Sequence, residues 1–174
     1  MLGDQLNHDS AAFDGLDPSL DRIVMIEARD ESTHVWSHKA RTALFLSAMR
    51  HFAAELVAKG MEVEYRRLGE HNDVSLQAGW LAVLAAYSPA CVVCVEPGDL
   101  RVWQALNEVA TQADVALDIR ADRHFMCSRE AFATWAGDSK TLRKESFYRK
   151  MRREHQVLMQ PGNPTEPLGG QWNF

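Results

Sequence analysis

Gly3, Asp4, Glu27, Glu31, Glu96 and Gly98 are the residues of this chain whose types and spacing could do chemistry. They fall in three short segments, Gly3-Asp4-Gln5, the stretch 27–34 and Glu96-Pro97-Gly98-Asp99, each next to an apolar run. A carboxylate accepts hydrogen bonds from N–H and O–H groups, and glycine lets a backbone approach a ligand closely. Four carboxylates would repel a phosphate, so the expected ligand is a donor-rich neutral one, such as a heterocycle with N–H groups or a ribityl chain with hydroxyls. No GxGxxG, P-loop, GxSxG or HExxH motif and no repeated metal-ligand spacing occurs in the sequence.

The other reactive residues point elsewhere. Cys91 and Cys94 form a CxxC, but Val92, Val93 and Val95 make this stretch a strand, and residues three apart on a strand point to opposite faces. They are expected as buried core thiols rather than a metal or redox pair. The total of three cysteines is odd, which suits a reducing compartment rather than a disulfide framework. His38, His51 and His124 share no ligand spacing, and His51 is expected to pack or to make a local hydrogen bond.

Those segments need elements to position them. Residues 23–28 read as a strand and residues 36–59 as a long helix closed by Gly60, with Phe45, Met49, Phe52 and Leu56 forming one apolar stripe. Strand 62–68, helix 74–87, strand 90–96, helix 99–112 capped by Asp99, and strand 115–121 follow. Residues 128–135 and 142–159 then read as helices, the second basic through Arg143, Lys144, Arg149, Lys150, Arg152 and Arg153. Glu145, Glu154 and the apolar Phe147, Met151 and Leu158 make it a solvated or interdomain helix rather than a nucleic-acid reader. The five tryptophans read as core and interface aromatics.

The strands at 23–28 and 90–96 are almost continuously apolar, whereas 62–68 and 115–121 alternate with charged residues. The expected fold is therefore α/β: a Rossmann-like doubly wound parallel sheet of about five strands with helices on both faces and a helical C-terminal extension. The expected domains are an α/β domain over 1–125 and a helical extension over 126–174. The central strand would precede Leu2-Gly-Asp-Gln-Leu6 and is truncated. Either the natural first strand begins upstream, or the few residues before Gly3 pair minimally. In such a sheet, ligands bind at the carboxyl ends of the strands, where all three candidate segments fall.

Composition bounds the function classes. A length of 174 residues fits one domain with a real core, and 46% hydrophobic with 25% charged residues is ordinary for a globular protein. A net charge of -5 argues against a surface devoted to nucleic acid. No apolar run reaches the roughly 20 residues needed to span a bilayer, and the N-terminus lacks a basic region followed by an apolar core. A cytoplasmic protein without a membrane partner is expected.

Six segments in order, Leu2-Gly-Asp-Gln-Leu6, His38-Lys39 with Ser47-Ala-Met-Arg-His-Phe-Ala53, Glu96-Pro-Gly98, Ser128-Arg-Glu130, Phe147-Tyr-Arg149 with Met151-Arg-Arg153, and Gly169-Gly-Gln-Trp-Asn-Phe174, make the chain resemble the N-terminal part of the deoxyribodipyrimidine photolyase-related proteins. These form the bacterial iron-sulfur (6-4) photolyase branch of the photolyase/cryptochrome family. The resemblance implies an antenna domain able to hold 6,7-dimethyl-8-ribityllumazine, lined by Gly3, Asp4, Ile26, Glu31 and Gly98. It also implies that FAD, the 4Fe-4S cluster and DNA contact belong to a C-terminal FAD-binding domain outside this chain. The chain would then be a catalytically inactive piece of a larger light-dependent protein, serving light harvesting and scaffolding for DNA repair or photoreception. The alternative is a stand-alone nucleotide- or flavin-binding α/β module with a regulatory role.

Overall fold

A computed structural model describes residues 1–71 and 74–172. Asn173 and Phe174, the last two residues of the segment Gly-Gly-Gln-Trp-Asn-Phe, lie outside the described residues, as do Asn72 and Asp73. The chain divides into two compact units, Met1–His124 and Phe125–Phe174.

The first unit is α/β. Strand β1 (Ile23–Ile26) carries only apolar residues and buries three of its four. A short helix α1 (Arg29–Thr33) and a long helix α2 (Lys39–Ala58) follow. The imidazole Nδ1 of His38 caps α2 by accepting from the Ala40 N–H, and Gly60 turns the chain away with a positive φ. Of the expected apolar stripe, Met49, Phe52 and Leu56 are buried against Ile23 and Met25, while Phe45 stays partly exposed. Strand β2 (Val63–Arg66) pairs with β1 in parallel, Ile23 opposite Val63 and Ile26 opposite Arg66.

Helix α3 (Leu76–Tyr87) starts at Ser75, whose hydroxyl accepts from the Ala78 N–H, and ends at Ser88 in the left-handed region just before Pro89. Strand β3 (Cys91–Val95), helix α4 (Leu100–Gln112) and strand β4 (Ala116–Arg120) complete the unit, with β3 and β4 parallel. Asp99 caps α4 through the Arg101 N–H at 2.8 Å, as its side chain predicts. Cys94, Val102 and Leu106 form a second core, joined by Leu2, Trp80, Leu117 and Ile119.

The strands thus stand in two parallel pairs, β2 with β1 and β3 with β4. Met1 and Leu2 lie at the gap between them: the Met1 ammonium donates to the Val24 carbonyl at 2.9 Å, and Leu2 packs on the Cys94 core. Beside them a space of about 420 Å³ opens along both edges. That opening corrects the reading of the cysteines. Cys94 is buried, but Cys91, at the head of β3, lines the space and is exposed.

The second unit holds helix α5 (Arg129–Ala136), helix α6 (Lys144–His155) and an antiparallel hairpin of β5 (Met159–Gln160) and β6 (Asn163–Pro167). Phe132, Trp135 and Phe147 form a partly exposed aromatic cluster of tilted and edge-on rings, with centroids 4.8 to 5.6 Å apart. The basic helix ends at Gln156 in the left-handed region, earlier than the expected residue 159. The buried Arg152 holds the turn that follows by donating to the Val157 and Leu158 carbonyls. Among the described residues, no helix is long and apolar enough to cross a membrane.

Candidate functional site

The carboxyl end of β3 meets the turn at residues 3–5, and a side-chain clamp holds the two together. Gln5 Nε2 donates to the Glu96 carbonyl at 2.8 Å, tying the turn to the end of β3 across 91 residues of sequence. Gly3 sits so close to α2 that a Cβ there would lie 2.7 Å from Met49 Sδ and from the Phe45 ring. The missing side chain therefore admits the helix, which is the close approach that the residue type makes possible.

A pocket of about 230 Å³ opens at this turn, lined by Gly3, Asp4, Gln5, Leu6, Asn7, Ser10, Val95, Asp122 and His124. It brings together two of the five residues that the sequence singles out. Asp4 is exposed at its rim. The other three stand apart from it. Ile26 is buried at the end of β1. Gly98 is exposed, and a Cβ on it would meet nothing within 4 Å. Glu31, on α1, is held by Arg101 of α4 through a bidentate pair at 2.8 and 3.0 Å, and Arg101 also reaches Asp99 at 3.4 Å. A bidentate carboxylate keeps part of its acceptor capacity, since its two oxygens offer about four lone-pair sites. The pair locks the loop after β1 to the start of α4, beside Gly98.

Glu27 has a different role from the one its position suggests. It is 2% exposed and turned inward. Its carboxylate accepts from Arg50 Nε at 2.7 Å, Arg50 Nη2 at 2.8 Å, the Tyr65 hydroxyl at 2.6 Å and the Leu68 N–H at 2.9 Å. Burial pushes the Glu27 carboxyl up, but these four hydrogen bonds and the Arg50 charge outweigh it and hold the group below its ordinary range. Burial and the neighbouring carboxylate push the Tyr65 phenol well up, so it remains a donor. With Glu27 and Glu31 each matched by a guanidinium, the mouth is far less negative than four free carboxylates would make it. The network joins β1, α2 and β2 and fixes the strand end from which the mouth loop departs. Ser10, Asp122 and His124 are pocket residues that the sequence reading did not place in the site, because they belong to no motif and, for Asp122 and His124, follow the last strand of the unit.

The wall offers acceptors at Asp4, Asp122 and the amide oxygens, donors at the Gln5 and Asn7 amides, and a comparable share of apolar surface, including Leu6 and Val95. This donor set fits a hydroxyl-bearing chain. The volume lies below the roughly 300 Å³ at which pockets enclose a whole drug-sized ligand. It therefore suits the polyol end of a ligand whose ring lies outside it. Exposed apolar side chains stand at the same end of the strands: Trp36, 87% exposed, between α1 and α2, and Leu100 and Trp103 in the first turns of α4. The cysteines do not fit a four-cysteine iron-sulfur site, since there are three in the chain and Cys91, Cys94 and Cys127 range from exposed to buried.

Residues 1–174 match the family described as deoxyribodipyrimidine photo-lyase-related protein. Over 175 aligned residues the chain is 39% identical to a (6-4) photolyase of Agrobacterium fabrum (strain C58 / ATCC 33970). The alignment covers all of this chain and 34% of that protein, so the chain spans about a third of the length of this curated relative.

Proposed function

The chain belongs to the deoxyribodipyrimidine photolyase-related family, and on that premise we propose that it is the α/β antenna and scaffold part of a cytoplasmic, light-dependent DNA-repair or photoreceptor protein. The observation that carries this reading is the pocket of about 230 Å³ built on Gly3 and Asp4 beside the carboxyl end of β3. Its proposed ligand is 6,7-dimethyl-8-ribityllumazine, with Asp4 accepting from ribityl hydroxyls inside the pocket and Glu31 and Gly98, which do not line it, proposed to meet the part of the ligand that lies outside it. When bound, that group absorbs light and passes the excitation to a flavin.

The work of this chain's residues is to hold and to orient. An antenna needs a fixed distance and direction to its acceptor, and three devices stiffen the mouth: the Gln5 clamp on Glu96, the packing of Phe45 and Met49 on Gly3, and the Arg101–Glu31 pair. No nucleophile or general base is required of it. FAD, an iron-sulfur cluster and DNA contact are proposed for a C-terminal FAD-binding domain, which is the partner of this chain.

The test is titration of the purified chain with 6,7-dimethyl-8-ribityllumazine, followed by fluorescence polarisation. Saturable binding is expected, weakened about tenfold or more in Asp4→Ala, as for loss of a hydrogen bond to a charged acceptor. Glu31→Ala should weaken it too, by freeing Arg101 and loosening the rim. Absence of binding, or binding unchanged in both variants, refutes the assignment.

A further inference from the structure

Arg149, Arg152 and Arg153 stand on one face of α6, at the spacing that makes helical residues neighbours. Trp172 lies against all three. Its ring centroid is 5.5 Å from the Arg149 guanidinium carbon, 5.2 Å from that of Arg152 and 5.8 Å from that of Arg153. The face of an indole attracts cations, so one ring gathers three positive charges. The whole chain has a net charge of -5, yet residues 125–174 hold eight Lys and Arg against five Asp and Glu. The positive charge of the second unit is thus concentrated where these three side chains converge.

Guanidiniums held this close repel one another unless acceptors face them. The buried Arg152 has two, the Val157 and Leu158 carbonyls. Arg153 is exposed and donates to the Arg149 carbonyl at 3.2 Å. Glu154, the carboxylate next to it in sequence, is taken by Lys150. Arg149 has no hydrogen bond or ion pair among the described residues, and its Nε is the buried side-chain nitrogen there that lacks a partner. A shielded charged donor left unmatched is costly, and such a group calls for an ion or ligand. Water would satisfy a donor but leave the charge uncompensated. A carboxylate is planar and is matched by one guanidinium through a bidentate pair. A phosphate monoester carries about two negative charges and three acceptor oxygens, which suits guanidiniums arriving from separate residues.

We propose that Arg149, Arg153 and Trp172 form an oxyanion site on the second unit for the dianionic phosphate group of a small phosphorylated ligand, with the buried Arg152 as the fixed cation of the set. The site lies wholly within that unit and does not rest on the chromophore reading.

The test is isothermal titration calorimetry of the whole chain with inorganic phosphate at about pH 8, where phosphate is dianionic, and at constant ionic strength. Sodium acetate is the carboxylate arm, and an oligodeoxynucleotide without terminal phosphates is the phosphodiester arm. Saturable phosphate binding is expected, weakened about tenfold or more in Arg149→Gln and in Arg153→Gln, and only partly kept in Arg149→Lys, whose ammonium lacks the planar fork. Phosphate should raise the thermal midpoint of the parent chain and not that of either Gln variant, a difference that a merely structural arginine would not produce. If Arg149→Gln fails to fold, Arg153→Gln, at an exposed position, reads the same loss. The proposal is overturned if phosphate binding does not saturate, if both Gln variants bind as the parent does, if acetate binds as well as phosphate, or if the oligodeoxynucleotide binds more tightly, which would make this a nucleic-acid backbone surface.

Discussion

Replacing Arg50 with methionine tests the idea that a buried carboxylate, not the loop itself, fixes the end of β1. Methionine keeps much of the length of the side chain and removes both guanidinium bonds to Glu27. Breaking a buried ion pair by deleting one partner costs about 3–5 kcal/mol. The Arg50 side chain is 46% exposed, and solvent screening reduces that figure. Glu27 also keeps its bonds from Tyr65 and Leu68, so a loss of about 2 kcal/mol at pH 7 is expected. For a chain of 174 residues that is roughly 4–8 °C in the thermal midpoint.

The pH dependence supplies the sharper readout. Glu27 has a folded pKa below its unfolded value, so the stability it contributes is fully present above about pH 4.5 and is lost as pH falls through the lower folded value. In Arg50→Met the largest opposing influence, burial, is no longer outweighed, and the folded pKa rises. The variant should therefore lose less stability than the parent chain as pH falls below about 4.5, where the parent chain loses it. Thermal denaturation followed by circular dichroism at pH 3, 4, 5 and 7 reads both effects. A loss under about 0.5 kcal/mol at pH 7, or a pH slope parallel to that of the parent, would refute the reasoning. Glu27→Gln is the complementary control: Arg50 relaxes into solvent, and the acid-side slope due to this group disappears.

Other outcomes follow from single contacts. Gly3→Ala should cost about 1–3 kcal/mol, because its Cβ would press on Met49 and Phe45, and Met49→Ala in the same chain should recover part of that loss in urea titrations. Leu56→Ala, at a site with no exposed surface, should cost about 2–5 kcal/mol in the same assay. Under native conditions a maleimide should label Cys91 quickly and Cys94 only on unfolding, since Cys94 is buried and burial pushes its thiol up to about 11. Mass spectrometry of tryptic peptides distinguishes the two, and equal labelling would contradict the assignment of Cys94 to the core.

The parts of this fold legible in the chain were those decided within a few residues. The stripe Met49, Phe52 and Leu56 follows from 3.6-residue periodicity, and the Asp99 cap and the Gly60 stop follow from backbone groups one turn away. The runs Ile23–Ile26 and Cys91–Val95 are strands because β-branched residues fill them, and their parallel pairing follows from the helices between them. Short or weakly patterned elements were not legible. Helix α1 contains only Arg-Asp-Glu-Ser-Thr, which has no apolar period, and the hairpin after α6 is built on Asn163-Pro-Thr-Glu-Pro167, which reads as a loop.

The site divides along the same line. Glycine and carboxylate at residues 3, 4, 31 and 98 could be singled out because residue type limits what each can do. Tertiary structure decided which of them meet, since the deciding contacts span 91 residues for Gln5 to Glu96, 70 for Arg101 to Glu31 and 23 for Arg50 to Glu27. No local period encodes such distances. They arise when parallel strands bring the ends of separate segments to one edge, and there Glu27 found a guanidinium and a phenol instead of solvent. The same packing left Cys91 open to solvent while Cys94, three residues further on, went into the core. Strand alternation sets only which face each thiol takes. Whether that face is covered depends on the neighbouring strand.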